Sequence, residues 1–210
     1  MKISSCINNI QNNQISLKIH SFITNFVKEL EAYYSTTEEE CVFELTERPF
    51  LGLFNNAIIR NDINYEYATL QEYSVISENK ITMRPDLLLL EKSTNQAFII
   101  ESKHYYASEK KEKKWTVDDS KNFFNKTLKQ AKSYYENEEI FYEKRKSNVY
   151  LCALIFDSVK EITNLKTYLS EPDDLREEGN YFCYTIIDKT INDKVLNVYG
   201  VIKSVEEENK

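Results

Sequence analysis

Three charged residues set into an apolar stretch carry the chemistry that this sequence can offer. Asp86 precedes the run Leu87–Leu90, Glu101 follows Phe98–Ile100, and Lys103 stands two residues beyond Glu101. Between the runs, Lys92-Ser93-Thr94-Asn95 has the composition of a turn, so Ile81–Glu91 and Ala97–Lys103 are expected to form a β-hairpin. A turn over residues 92–95 fixes the register, pairing Leu90 with Ala97, Leu88 with Ile99 and Asp86 with Glu101. Opposed residues of an antiparallel pair have Cβ atoms only about 4.5–5.5 Å apart. The two carboxylates therefore share a face, and the strand period of two brings the Lys103 ammonium to the same face. Two like charges so close repel unless a cation stands between them. Oxygen ligands suit Mg²⁺ or Mn²⁺, and such an ion acidifies a bound water beside a lysine that can orient it or stabilise phosphate charge. That is equipment for phosphodiester hydrolysis. The alternative is an ion cluster in which Lys103 pairs with the two acids for structure alone, although burying three charges in this way seldom gains stability.

Several elements must hold these groups in place. Ile15, Ile19, Phe22, Phe26, Leu30 and Tyr33 recur at helical spacing and predict a helix over residues 15–34. A second helix is expected over about 41–59, with Thr46 as cap, Pro49 in the first turn, and Leu51, Phe54 and Ile58 facing inward. Residues 65–76 have a β-like pattern, followed by the hairpin. Phe123, Phe124, Leu128, Ala131 and Tyr135 then restore helical spacing as far as about Tyr142. Asn148–Phe156 is expected as a buried strand, Val159–Leu169 as a helix, and Tyr181–Ile187 and Val195–Ile202 as closing strands. The expected order is ααβββαβαββ in one α/β domain with a mixed sheet. The domain spans residues 1–210, with a poorly ordered leader over 1–14 and a frayed tail over 204–210.

Pro85-Asp86, fourteen residues, then Glu101-Ser102-Lys103 resembles the PD-(D/E)XK nuclease superfamily. The resemblance implies a restriction-endonuclease-like fold: an αβββαβ core with a central mixed sheet flanked by helices. Here an N-terminal helix and C-terminal strands would be additions to that core. It implies that Asp86 and Glu101 bind the metal, that the Ser102 carbonyl adds a ligand, and that Lys103 is the catalytic lysine. A helix carboxylate in this superfamily often joins the metal site; Glu47 is the candidate, with Glu44 as its rival one turn earlier. Gln130-Ala131-Lys132-Ser133-Tyr134 resembles the Gln-x-x-x-Tyr motif of the RecB-like and λ-exonuclease-like branch, which would make Gln130 and Tyr134 substrate-binding residues pointing toward Glu101. The implied cofactor is Mg²⁺ or Mn²⁺ and the implied partner is nucleic acid, with DNA favoured.

Composition limits the other possibilities. Only three glycines occur, too few for a phosphate-cradling nucleotide loop. Cys6, Cys41, Cys152 and Cys183 stand far apart without a Cys-x-x-Cys, which suits reduced thiols better than disulfides or zinc and gives no support to an iron–sulfur site. No apolar stretch approaches a membrane span and no signal-peptide block precedes the first helix, so a cytoplasmic protein without membrane contact is expected. The net charge of −7 opposes broad affinity for nucleic acid. Locally the sign reverses: residues 103–132 hold nine lysines against Glu109, Glu112, Asp118 and Asp119. Within that segment Lys110, Lys111, Lys113, Lys114 and Trp115 are expected to form a substrate arm that neutralises phosphates and stacks on bases. A catalytically inactive module that holds nucleic acid or a protein partner is the competing expectation.

Overall fold

The computed structural model describes residues 1–37, 47–60, 62, 64–71, 75–77, 80–83, 85–105, 117–136, 148–157, 180–188 and 194–205. The described elements run in the order β1 (Lys2–Asn8), α1 (Asn13–Thr37), α2 (Glu47–Arg60), β2 (Tyr67–Gln71), β3 (Val75–Ser77), β4 (Lys80–Met83), β5 (Leu87–Glu91), β6 (Gln96–Tyr105), α3 (Val117–Glu136), β7 (Val149–Asp157), β8 (Tyr181–Asp188) and β9 (Lys194–Ser204). Seven of these strands make one mixed sheet in the order β1-β8-β9-β7-β6-β5-β2, while β3 and β4 form a separate ribbon. Strands β6 and β7 run parallel; the other described neighbours are antiparallel.

Alternation along the central strands divides the core in two. One face carries Leu87, Leu89, Phe98, Ile100, Leu154 and Phe156 under α1 and α2. The opposite face carries Leu88, Ala97, Ile99, Leu151, Ala153 and Ile155 under Phe124, Leu128, Ala131 and Tyr134 of α3. Apolar residues on both faces are what a central strand requires, and they explain why β5 to β7 read as nearly continuous apolar runs. Helix α1 starts where expected because the Asn12 side chain caps it, accepting from the backbone N–H groups of Gln14 at 3.0 Å and Ile15 at 3.3 Å. Its predicted stripe, Ile15 to Leu30, is buried. Pro49 lies in the first turn of α2, and Leu51, Phe54 and Ile58 are buried as the spacing predicts.

The hairpin pairs Leu87 with Ile100, Leu88 with Ile99, Leu89 with Phe98 and Leu90 with Ala97, the register expected from a turn at 92–95, but the ladder stops there: Asp86, expected as the strand partner of Glu101, lies in the bend before β5. Asn95 supplies that turn with a left-handed residue at φ 52°.

Three expectations are corrected. The first element is a strand and not a helix: Lys2–Asn8 is the sheet's edge strand on β8, held by backbone pairing that its polar sequence does not advertise. The segment Ile81–Glu91 is two strands, since β4 ends at Met83 and β5 begins at Leu87. Pro85 lies in the gap, where it lacks a ladder N–H and restricts the residue before it. The β-like stretch 65–76 likewise divides, β2 joining β5 in the main sheet and β3 joining β4. The expected helix 159–169, the cap Thr46 with the start of the second helix over 41–46, and the end of α3 beyond Glu136 lie outside the described residues; of the expected tail 204–210, Ser204 ends β9, Val205 donates to the Val149 carbonyl at 3.0 Å, and 206–210 lie outside.

Candidate functional site

The site forms where β5 begins. Along β6 the N–H groups of residues 98, 100, 102 and 104 point toward β5, by the alternation of a strand backbone. Past Leu87 no β5 residue is left to accept from them. Carboxylates take its place: Asp86 Oδ2 accepts from the Ser102 N–H at 2.6 Å and from the Ser102 hydroxyl at 3.1 Å. One step further, Glu47 Oε2 accepts from the His104 N–H at 3.1 Å. Two successive donors of the uncovered strand thus fix two acids, one from the bend before β5 and one from the first residue of α2. The ring of His104 leans away onto Phe50, 5.3 Å between centroids, which anchors this end of β6 to α2.

Lys103 occupies the middle. Its ammonium lies 3.8 Å from Glu47 Oε1, 3.9 Å from Asp86 Oδ2 and 3.9 Å from Glu101 Oε2. It also donates to the Ser102 carbonyl at 2.7 Å. Three carboxylates therefore share one cation. Glu101 is the deepest, its side chain 7% exposed. Burial pushes its carboxyl up to about 8; the charge of Asp86 adds to this, while Lys103 and a hydrogen bond from the Asp86 backbone act against it. Glu47 is also raised, chiefly by burial. The acids outnumber the positive charge among them, and this excess is what a further cation would relieve.

As folded, no group of three acidic, histidine or cysteine side chains among the described residues is gathered closely enough to hold a metal ion. The donor chemistry nevertheless suits a hard ion: Asp86, Glu101, Glu47 and the Ser102 carbonyl offer oxygen alone. What stands among those oxygens is the lysine ammonium.

Asp86, Glu101, Ser102, Lys103 and Glu47 are thus brought together. Glu44, Lys110, Lys111, Lys113, Lys114 and Trp115 lie outside the described residues. Gln130 is exposed, whereas Tyr134, one turn later, is 1% exposed in the core beneath α3. Its ring packs with Leu128, Ala131 and the sheet residues of that core. Cys152 and Cys183 are buried thiols and Cys6 is exposed.

Sequence reasoning missed a polar row further across the sheet. Asp157, wholly buried at the end of β7, is registered with Tyr105 of β6 and with Asn197 of β9. Asn197 accepts a 2.9 Å hydrogen bond from Thr185 on β8. The available signal was a polar residue at the end of one apolar run, Asp157, and within two others, Thr185 and Asn197. Compared with protein-family models, curated proteins and solved structures, the chain gives no match.

Proposed function

We propose that this chain is a Mg²⁺- or Mn²⁺-dependent nuclease of the PD-(D/E)XK kind that hydrolyses phosphodiester bonds, with DNA as its preferred substrate. The observation that carries the reading is the convergence of Asp86, Glu101 and Glu47 on Lys103 at the open end of β5. Further support comes from element order. Helix α2, the antiparallel series β2-β5-β6, helix α3 and the parallel strand β7 follow the αβββαβ order of a restriction-endonuclease-like core, with β3 and β4 as an insertion.

Asp86, Glu101, the Ser102 carbonyl and Glu47 would hold the ion, which when bound supplies an acidified water and a charge partner for phosphate oxygens. The residues do the rest. Asp86 is oriented by the backbone and hydroxyl of Ser102, so its carboxylate is fixed before any ligand arrives. Lys103, partly exposed and set among the three acids, is placed to meet a phosphate or to steer the attacking water. Glu101 is shielded from bulk water, while Lys103, Asp86 and Glu47 stay partly open to it.

A second reading has its own observation: an ammonium already balanced by three carboxylates is also what a non-catalytic module would keep. Incubation with circular, linear and single-stranded DNA and with RNA, in Mg²⁺, Mn²⁺ or EDTA, separates the two. Cleavage that needs metal and disappears in Asp86→Ala and Lys103→Ala supports the nuclease. Binding without cleavage supports the module, and cleavage that persists in both variants refutes this site.

A further inference from the structure

The cation that joins these carboxylates is the protein's own. We infer that the Lys103 ammonium and a divalent ion compete for one seat, so that metal loading is what releases this lysine toward substrate. The inference rests on the proposed metal-dependent reading and adds an order of events to it.

Geometry makes the competition unavoidable. The ammonium has three N–H donors. One is spent on the Ser102 carbonyl at 2.7 Å, and the carboxylate oxygens around it stand at 3.8–3.9 Å, beyond hydrogen-bond length. It therefore neutralises the acids without drawing them in, as a loosely held counterion does. Each of the four oxygens it touches or faces is one that a hard ion would take. An ion bound to them would stand within a few ångströms of a second positive charge, beside a deepest acid, Glu101, that is nearly sealed from water. The two cannot remain together. The ion replaces one unit of positive charge with two where three acids gather, so the ammonium is the group that leaves. Its flexible four-carbon stem lets it do so without moving β6. Release breaks the Nζ–Ser102 hydrogen bond and frees that carbonyl as a ligand, and it turns the amine toward the exposed side of the site. In the metal-free protein Lys103 is occupied, which ties its availability to phosphate to the presence of the ion.

The test needs no catalysis. Mn²⁺ is titrated calorimetrically, without nucleic acid, into the wild type, Lys103→Met and Asp86→Asn, with folding checked by thermal unfolding. In parallel, acetylation of Lys103 in the wild type by a water-soluble amine reagent is timed by peptide mass spectrometry in EDTA and in saturating Mg²⁺. The expected results are Mn²⁺ affinity about tenfold higher in Lys103→Met, and faster Lys103 acetylation when Mg²⁺ is present. Equal or weaker affinity in the variant, or acetylation that is unchanged or slowed by Mg²⁺, overturns the competition. The acetylation arm decides alone if the variant does not fold. Absence of Mn²⁺ binding in both wild type and Lys103→Met, or binding undiminished in Asp86→Asn, removes the metal-site reading itself and the competition with it.

Discussion

Glu101 is the residue at which burial and charge pull against each other most strongly. Its carboxyl, raised to about 8 from an ordinary 4.5, binds its proton more tightly in the folded chain than in the unfolded one. Below about pH 4.5 both states are protonated and the group is neutral for stability. Between there and about pH 8 the unfolded chain ionises first, so stability falls as pH rises. In EDTA, the wild type should lose on the order of 2 kcal/mol relative to Glu101→Gln between pH 5 and pH 8, read by thermal or urea unfolding. Parallel pH profiles for the two proteins would show that Glu101 ionises freely. Asp86 has a second duty that chemistry alone would not disclose, since it replaces a strand in satisfying Ser102. Asp86→Ala should therefore cost about 1–3 kcal/mol of stability in addition to abolishing cleavage, because a part-buried N–H loses its acceptor. Asp86→Asn keeps an acceptor oxygen and should recover most of the stability but none of the cleavage. Recovery of cleavage in Asp86→Asn would show that the negative charge is not used.

Elements position this site through packing that the sequence disclosed unevenly. The hairpin was legible because a turn and two apolar runs fix its register, whereas Asp86 reaches Lys103 from the bend before β5, through its bond to Ser102, and not as a paired strand residue. Helices α1 and α2 were legible from their stripes. Edge strand β1 was not, since backbone pairing at an exposed edge leaves little trace in side-chain pattern. The role of Pro85 in delaying the start of β5 to Leu87 required knowing which N–H groups β6 would then expose. Helix α3 shows how a motif can be found and its residues still fall differently. Gln130 and Tyr134 share helical spacing, but one is exposed and the other packs among Leu88, Ala97 and Ile99. Tyr134→Ala should cost about 3–5 kcal/mol, as removal of a buried aromatic does, while Gln130→Ala should leave the urea midpoint unchanged within error. A small cost at Tyr134 would contradict its burial. Across the sheet, a Cβ on Gly200 of β9 would collide with the buried ring of Phe182 on β8. Gly200→Ala is expected to destabilise by about 1–3 kcal/mol through overpacking, with no change in metal affinity because β8 and β9 lie away from the carboxylates.

At the scale of the whole molecule the issue is how an acidic protein could hold a polyanion. A net charge of −7 disfavours approach from most directions, while residues 103–132 carry a net of +5 that begins at the site itself. The described strand β6 ends at Tyr105, two residues past Lys103, and the described helix α3 begins at Val117. Lys110, Lys111, Lys113 and Lys114 fall between those two anchors, so whatever course residues 106–116 follow, their chain length tethers them to the carboxylate end of β6. Such a segment would give binding that is local and strongly dependent on salt, because each phosphate neutralised by a lysine releases counterions. Replacing these four lysines with glutamine should weaken duplex binding measured by fluorescence anisotropy in EDTA. The slope of log affinity against log salt should fall by about 0.9 for every phosphate that the replaced lysines would have neutralised. Mn²⁺ affinity in the absence of DNA should stay at the wild-type value, since the proposed metal donors belong to α2, β6 and the bend before β5. A salt slope that survives the replacements would mean that other parts of the surface hold the phosphates, and the acidic charge of the chain would then leave DNA a poor candidate for its partner.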